Sequence, residues 1–141
     1  MSTTNGATKH HGSCHCGANR YEVEVDLAKG GSMCNCSICT KTAAFGVTVK
    51  PEKLVLLTPE SELTTYVWGP AMSKRYFCKT CHTYLFGKGD LPELGGAFAS
   101  INIATLDDVE VAHLPRVYWD GRHNNWEAGI KSTPWKILEA T

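Results

Sequence analysis

Seven cysteines fall in three tight groups, and their spacing constrains this chain more than any other feature. Cys14-x-Cys16 comes first, Cys34-x-Cys36-x-x-Cys39 second and Cys78-x-x-Cys81 third. An odd number cannot all pair within one chain. Cysteines two or three residues apart let one tight turn aim two sulfurs at a single ion. Zinc takes thiolates at about 2.3 Å in a tetrahedron. The opening segment, Met1 to His11, is polar and has no apolar core of a secretory signal. The expected compartment is therefore the reducing cytoplasm, where clustered cysteines indicate metal binding or catalysis before disulfides.

The two outer pairs together supply four ligands, enough for a closed structural site. The middle group offers three and leaves a fourth position open, as catalytic zinc sites do. This division gives Cys14, Cys16, Cys78 and Cys81 to a structural zinc, and Cys34, Cys36 and Cys39 to a reactive one. It predicts two zincs per chain. Spacing alone leaves other divisions open. Cys14 and Cys16 could join two of the middle cysteines, and His15, His82 or His123 could close the second site.

A length of 141 residues fits one domain. The expected organisation is a flexible tail over 1–11 and a single zinc-binding catalytic domain over 12–141. The 14 basic and 14 acidic side chains cancel, which argues against a nucleic-acid binder working through bulk charge and against a polybasic membrane anchor. No run of about 18 apolar residues is present to suggest a membrane span. Expected partners are small molecules, with no nucleic acid and no membrane; pairing into a homodimer is open to a β-domain of this size.

Tyr21 to Val25 alternates apolar and acidic residues, as a half-buried strand does. Further strands are expected over 45–49, 54–57, 63–68, 74–77, 84–86, 97–104 and 116–119. Short helical turns are expected at 37–41, from Asp107 and Asp108, and at 124–128. The fold class is mainly β, built of short antiparallel strands with few helical turns. Metal crosslinks would supply the rigidity that such short strands lack.

Gly12-Ser-Cys-His-Cys-Gly17, the following YEVEV strand, Cys34-Asn-Cys-Ser-Ile-Cys39 and Arg75-Tyr-Phe-Cys-Lys-Thr-Cys81 together resemble the glutathione-dependent formaldehyde-activating enzyme family, which also includes centromere protein V. Thr105-Leu-Asp-Asp108 and Val117-Tyr-Trp119 match its C-terminal half, so the likeness runs over roughly residues 12 to 126. The resemblance implies a β-tent fold with two zincs and the same four-plus-three division, with Cys34, Cys36 and Cys39 on the catalytic ion. It also implies addition of glutathione to formaldehyde to give S-hydroxymethylglutathione, which in reverse is a carbon–sulfur lyase reaction. One departure is His82, where the family often has Gly. A position after a knuckle often needs positive φ, which Gly tolerates best.

A thiol that joins an open three-thiolate zinc loses its proton and becomes a nucleophile toward a nearby aldehyde. His82 and His123 are the candidate acid–base residues. Lys41, Lys74, Arg75 and Arg122 are candidate donors for the carboxylates of glutathione, and Phe45, Trp68, Tyr84 and Trp119 are candidate pocket walls. Two alternatives stand beside this reading. One is an enzyme of the same fold acting on another electrophile or thiol adduct, for example in specialised metabolism. The other is a non-catalytic, zinc-stabilised interaction module.

Overall fold

The computed structural model describes residues 6–68 and 73–136. Strand β2 (Arg20–Val25) shows how sequence becomes structure here. Tyr21, Val23 and Val25 are buried, while Glu22 and Glu24 face outward, so the period-two pattern settles which side is core. It pairs antiparallel with β1 (Thr8–Ser13) and with β5 (Leu54–Leu56), making a three-stranded sheet.

The second sheet has seven strands: β3 (Gly31–Cys34), β4 (Gly46–Val49), β6 (Leu63–Val67), β7 (Ser73–Cys78), β8 (Tyr84–Leu91), β9 (Gly96–Asn102) and β10 (Arg116–Trp119). Their order is β10-β3-β4-β9-β8-β7-β6. Between the sheets lies one core, with Tyr21, Val23, Leu85, Phe86, Ile101 and Ile103 almost fully buried. The fold is mainly β, as the sequence leads one to expect.

Two strands escape the sequence reading, and one expectation changes. Residues 8–11, taken as tail, belong to β1. That strand has almost no apolar face to announce it. Polar contacts hold it instead: the Asp107 N–H donates to the His11 carbonyl at 2.8 Å, and the Ser13 hydroxyl donates to Asp107 at 2.7 Å. Strand β3 is four residues long and includes a glycine and a cysteine, so it carries little strand propensity. It pairs parallel with β10, a departure from the all-antiparallel expectation. The helix α1 (Ser37–Lys41) forms where expected. Asp107 and Asp108 lie in a bend between 3-10 turns at Ile103–Thr105 and Val111–His113, and a further 3-10 turn covers Trp126–Ala128.

Candidate metal centres

Two cysteine-bearing turns project from different sheets and meet. Cys14 and Cys16 occupy the turn between β1 and β2; Cys78 ends β7, and Cys81 lies in the turn between β7 and β8. The four sulfurs lie within 4.8 Å of one another. The Cys14–Cys16 and Cys16–Cys78 sulfur separations are both 3.7 Å. Four thiolates at about 2.3 Å from an ion would stand about 3.8 Å apart, so this set fits a tetrahedral site. Backbone N–H groups of Asn19, Thr80 and Cys81 each point at a sulfur from 3.3 Å. Against the opposing effect of burial, the Thr83 hydroxyl and neighbouring N–H groups hold the Cys81 thiol down at about 5. Despite the Ala18 N–H, burial and the adjacent thiols push Cys16 up to about 11. Opposite shifts of this kind arise when one negative charge raises the cost of the next, and a dication removes that conflict.

Each of these turns ends in left-handed backbone. Gly17 takes φ 83 after Cys16, and His82 takes φ 65 after Cys81. His82 therefore stands on the four-cysteine knuckle with its ring exposed, and it lines neither of the cavities beside the other three cysteines.

Cys34, Cys36 and Cys39 form the second cluster, again with sulfurs within 4.8 Å. Cys34 ends β3, Cys36 caps α1, and Cys39 lies one turn into that helix, on the same face as Cys36. The thiols pull on one another. Hydrogen bonds from Cys34 and then Cys39 drive Cys36 well below the ordinary thiol range, while Cys34, Cys36 and burial drive Cys39 upward. Arg75 adds positive charge, with Nη2 donating to the Cys39 sulfur at 3.7 Å. Three adjacent sulfurs that cannot all ionise alone are a fitting donor set for a metal ion.

Several residues that the sequence reading did not single out fix this loop. Asn35 lies between the first two cysteines and donates to Asp120 Oδ1 at 2.8 Å, while its own Oδ1 accepts the Arg122 N–H at 2.8 Å. Asp120 is buried, and Asn35 chiefly holds its carboxyl below the usual carboxylate range. His123 Nδ1 sits 2.8 Å from the same carboxylate with its ring exposed, so its placement is that of a partner to Asp120. A Cβ on Gly121 would come within 2.5 Å of the Cys34 sulfur, so only glycine fits there. In the sequence, Asp120 shows as one acidic residue closing an apolar strand.

Two cavities border the three-cysteine cluster. One, of about 250 Å3, is mainly apolar, with Met33, Tyr118, Trp119, Pro134 and Trp135 beside Cys34 and Cys39. The other, of about 80 Å3, is lined by Cys34, Cys39, Arg75, Tyr84, Ser100 and Asn102. Of the expected wall residues, Tyr84 and Trp119 are in place, whereas Phe45 is core and Trp68 is exposed. Of the expected cations, Arg75 reaches the cluster; Lys41, Lys74 and Arg122 have exposed positions. No helix among the described residues is long and apolar enough to cross a membrane.

The model of the glutathione-dependent formaldehyde-activating enzyme family matches residues 9–121. A Halomonas elongata protein with that provisional name is 33% identical over 98 residues, covering 63% of this chain and 62% of its own length. A Talaromyces marneffei protein with the same provisional name is 35% identical over 80 residues, covering 53% of this chain and 42% of its own. The chain thus spans less than two thirds of each of these relatives. A Rhodobacter sphaeroides protein of known crystal structure superposes with a TM-score of 0.65 at 30% identity, over 77% of this chain and 98% of that one.

Proposed function

Because this chain belongs to the glutathione-dependent formaldehyde-activating enzyme family, we propose that it joins a thiol to a small aldehyde, and in reverse acts as a carbon–sulfur lyase, at Cys34, Cys36 and Cys39. The observation that carries this reading is a three-sulfur cluster bordered by two cavities. Glutathione and formaldehyde are the first substrates to test. A zinc ion on these three thiolates, with a fourth position open, would supply the Lewis acidity that lowers the pKa of an incoming thiol. Cys14, Cys16, Cys78 and Cys81 would hold a second, structural zinc.

The reaction forms one carbon–sulfur bond. The carbonyl π pair moves to oxygen, which gains the proton that the thiol gives up. The chain's own residues position the partners for this. The α1 turn and the Asn35–Asp120 bond fix the three sulfurs, and Arg75 offsets their negative charge. The apolar cavity beside Trp119 and Trp135 shields the body of the thiol substrate from water. Thiolate ligands also favour a reducing, cytoplasmic setting.

The test is a zinc count combined with a titration of reduced glutathione, followed by X-ray absorption at the zinc edge. The expected result is two zincs per chain, one of which gains a fourth sulfur as glutathione is added. The same sample should convert 13C-formaldehyde to a hydroxymethyl thioether resonance. Two zincs with neither change would refute the thiol–aldehyde reading and favour the interaction module.

A further inference from the structure

Three walls of the smaller cavity, Tyr84, Ser100 and Asn102, have no role in the reaction as described. That cavity offers about 80 Å3 against about 250 Å3 for the apolar cavity beside it, so of the two it suits the smaller substrate. We propose that this cavity holds the aldehyde oxygen, with the Tyr84 hydroxyl, oriented by Arg75, donating to it, so that these two residues position the carbonyl and limit its size. The inference rests on the thiol–aldehyde reading and names the half of the site that takes the electrophile.

The hydrogen-bond directions support it. Arg75 Nη1 donates to the Tyr84 hydroxyl oxygen at 2.9 Å. A guanidinium can only donate, so the phenol oxygen is the acceptor there and its proton is left for another group. No described side chain or carbonyl takes that proton. Asn102 lines the same cavity. Its Nδ2 donates to the Tyr84 carbonyl at 2.9 Å, which fixes the amide orientation, yet its Oδ1 has no donor although the residue is 7% exposed. Buried polar atoms are rarely left unpaired. An aldehyde oxygen can accept from Tyr84 only. As the carbon–sulfur bond forms, that oxygen gains negative charge, so the hydrogen bond from Tyr84 strengthens along the reaction. Interactions that grow along the reaction are the ones that accelerate it.

The sheet is built to leave this space. The β7–β8 register shifts between Tyr76 and Phe77, with Phe77 opposite Tyr84 and Tyr76 opposite Phe86, so Leu85 is the extra residue of a bulge. Bulges re-aim side chains next to functional sites. Gly87 faces Arg75 across the same ladder. A Cβ there would stand 3.2 Å from the Tyr84 hydroxyl, crowding it, and in ordinary contact with Arg75 Nη1 at 3.8 Å.

The test uses zinc-loaded protein labelled with 13Cζ-tyrosine and titrated with formamide, a stable one-carbon carbonyl. The Tyr84 resonance, assigned by its loss in Tyr84→Phe, should shift saturably with formamide and stay in place with benzamide. In the adduct assay, Tyr84→Phe should lower kcat/KM for formaldehyde about 100-fold and leave the KM for the thiol unchanged. Arg75→Met should reduce the formamide shift. The phenylalanine ring keeps its packing on Phe77, so the first variant should fold. A static Tyr84 resonance together with full activity in Tyr84→Phe would overturn the pocket while leaving the thiol–aldehyde reading intact. A saturable shift in a protein that forms no adduct would support the pocket and sink that reading.

Discussion

His82 and Gly121 show how much one residue decides at these centres. His82 adopts left-handed backbone so that its N–H can reach the Cys78 carbonyl at 2.9 Å, as Gly17 reaches Cys14 at 3.1 Å. Left-handed backbone costs a non-glycine residue about 1 kcal/mol. Among the described residues, no hydrogen bond or ion pair of the exposed ring offsets that cost. His82→Gly should therefore raise stability by about 0.5 kcal/mol, since glycine's extra freedom in the unfolded chain takes back part of the gain. Urea unfolding at constant zinc would read this, and adduct formation should be unchanged. A drop in turnover would instead put the imidazole in the chemistry. Gly121 lies against the Cys34 sulfur and the Trp126 ring, at 2.5 and 2.7 Å from where a Cβ would sit. Gly121→Ala should displace that sulfur and leave the four-cysteine site alone. Metal analysis after dialysis should then find close to one zinc per chain in a folded protein.

At the scale of elements, the two paired knuckles act as a tie between sheets. Cys14 and Cys16 come from the three-stranded sheet, and Cys78 and Cys81 from the seven-stranded one, more than 60 residues away in the chain. A structural zinc contributes roughly 10–16 kcal/mol to folding, comparable with the whole stability of a domain. Cys78→Ser should leave the protein largely unfolded at 25 °C by circular dichroism. Cys36→Ser should keep a cooperative melt and lose adduct formation. Equal melts for the two variants would show that the division of ligands is wrong. The cysteine groups and the strongly patterned strands were legible in the sequence because both are local signals: spacing for one, alternation for the other. The parallel β3–β10 pair was not, since its register comes from Trp119 meeting Cys34 across some 85 residues. The Arg75–Tyr84 pair depends on a bulge, and the Asp120–Asn35 bond on that same long-range pairing. Both residue sets were visible as single polar positions, but nothing nearby in the sequence says what they meet.

On the scale of the whole molecule, the sheets also meet through a buried phenol. The Tyr21 hydroxyl bonds Thr105 at 2.6 Å; because Thr105 donates onward to the Asn102 carbonyl at 2.8 Å, Tyr21 is the donor. Its ring lies so close to Gly12 that a Cβ there would overlap it, at 2.3 Å. Burial pushes the Tyr21 pKa well above the ordinary tyrosine value, opposed by the Thr105 bond, with Asp107 and Asp108 adding to the rise. The sign of the consequence follows from which state keeps its proton. Below about pH 10 both folded and unfolded chains hold it, and the contribution of this group is fully present. Above that, the unfolded chain ionises first, so stability falls, by up to about 1.4 kcal/mol per pH unit for this group. Tyr84 is shifted the same way by its burial and adds to the slope. Tyr21→Phe should cost about 1 kcal/mol at neutral pH through the lost hydrogen bond. It should also remove one share of the alkaline slope, so the two unfolding curves should converge between pH 9 and 11 at fixed zinc. Lines that stay parallel would mean that Tyr21 ionises as easily in the fold as outside it, and that the contact between the sheets admits water.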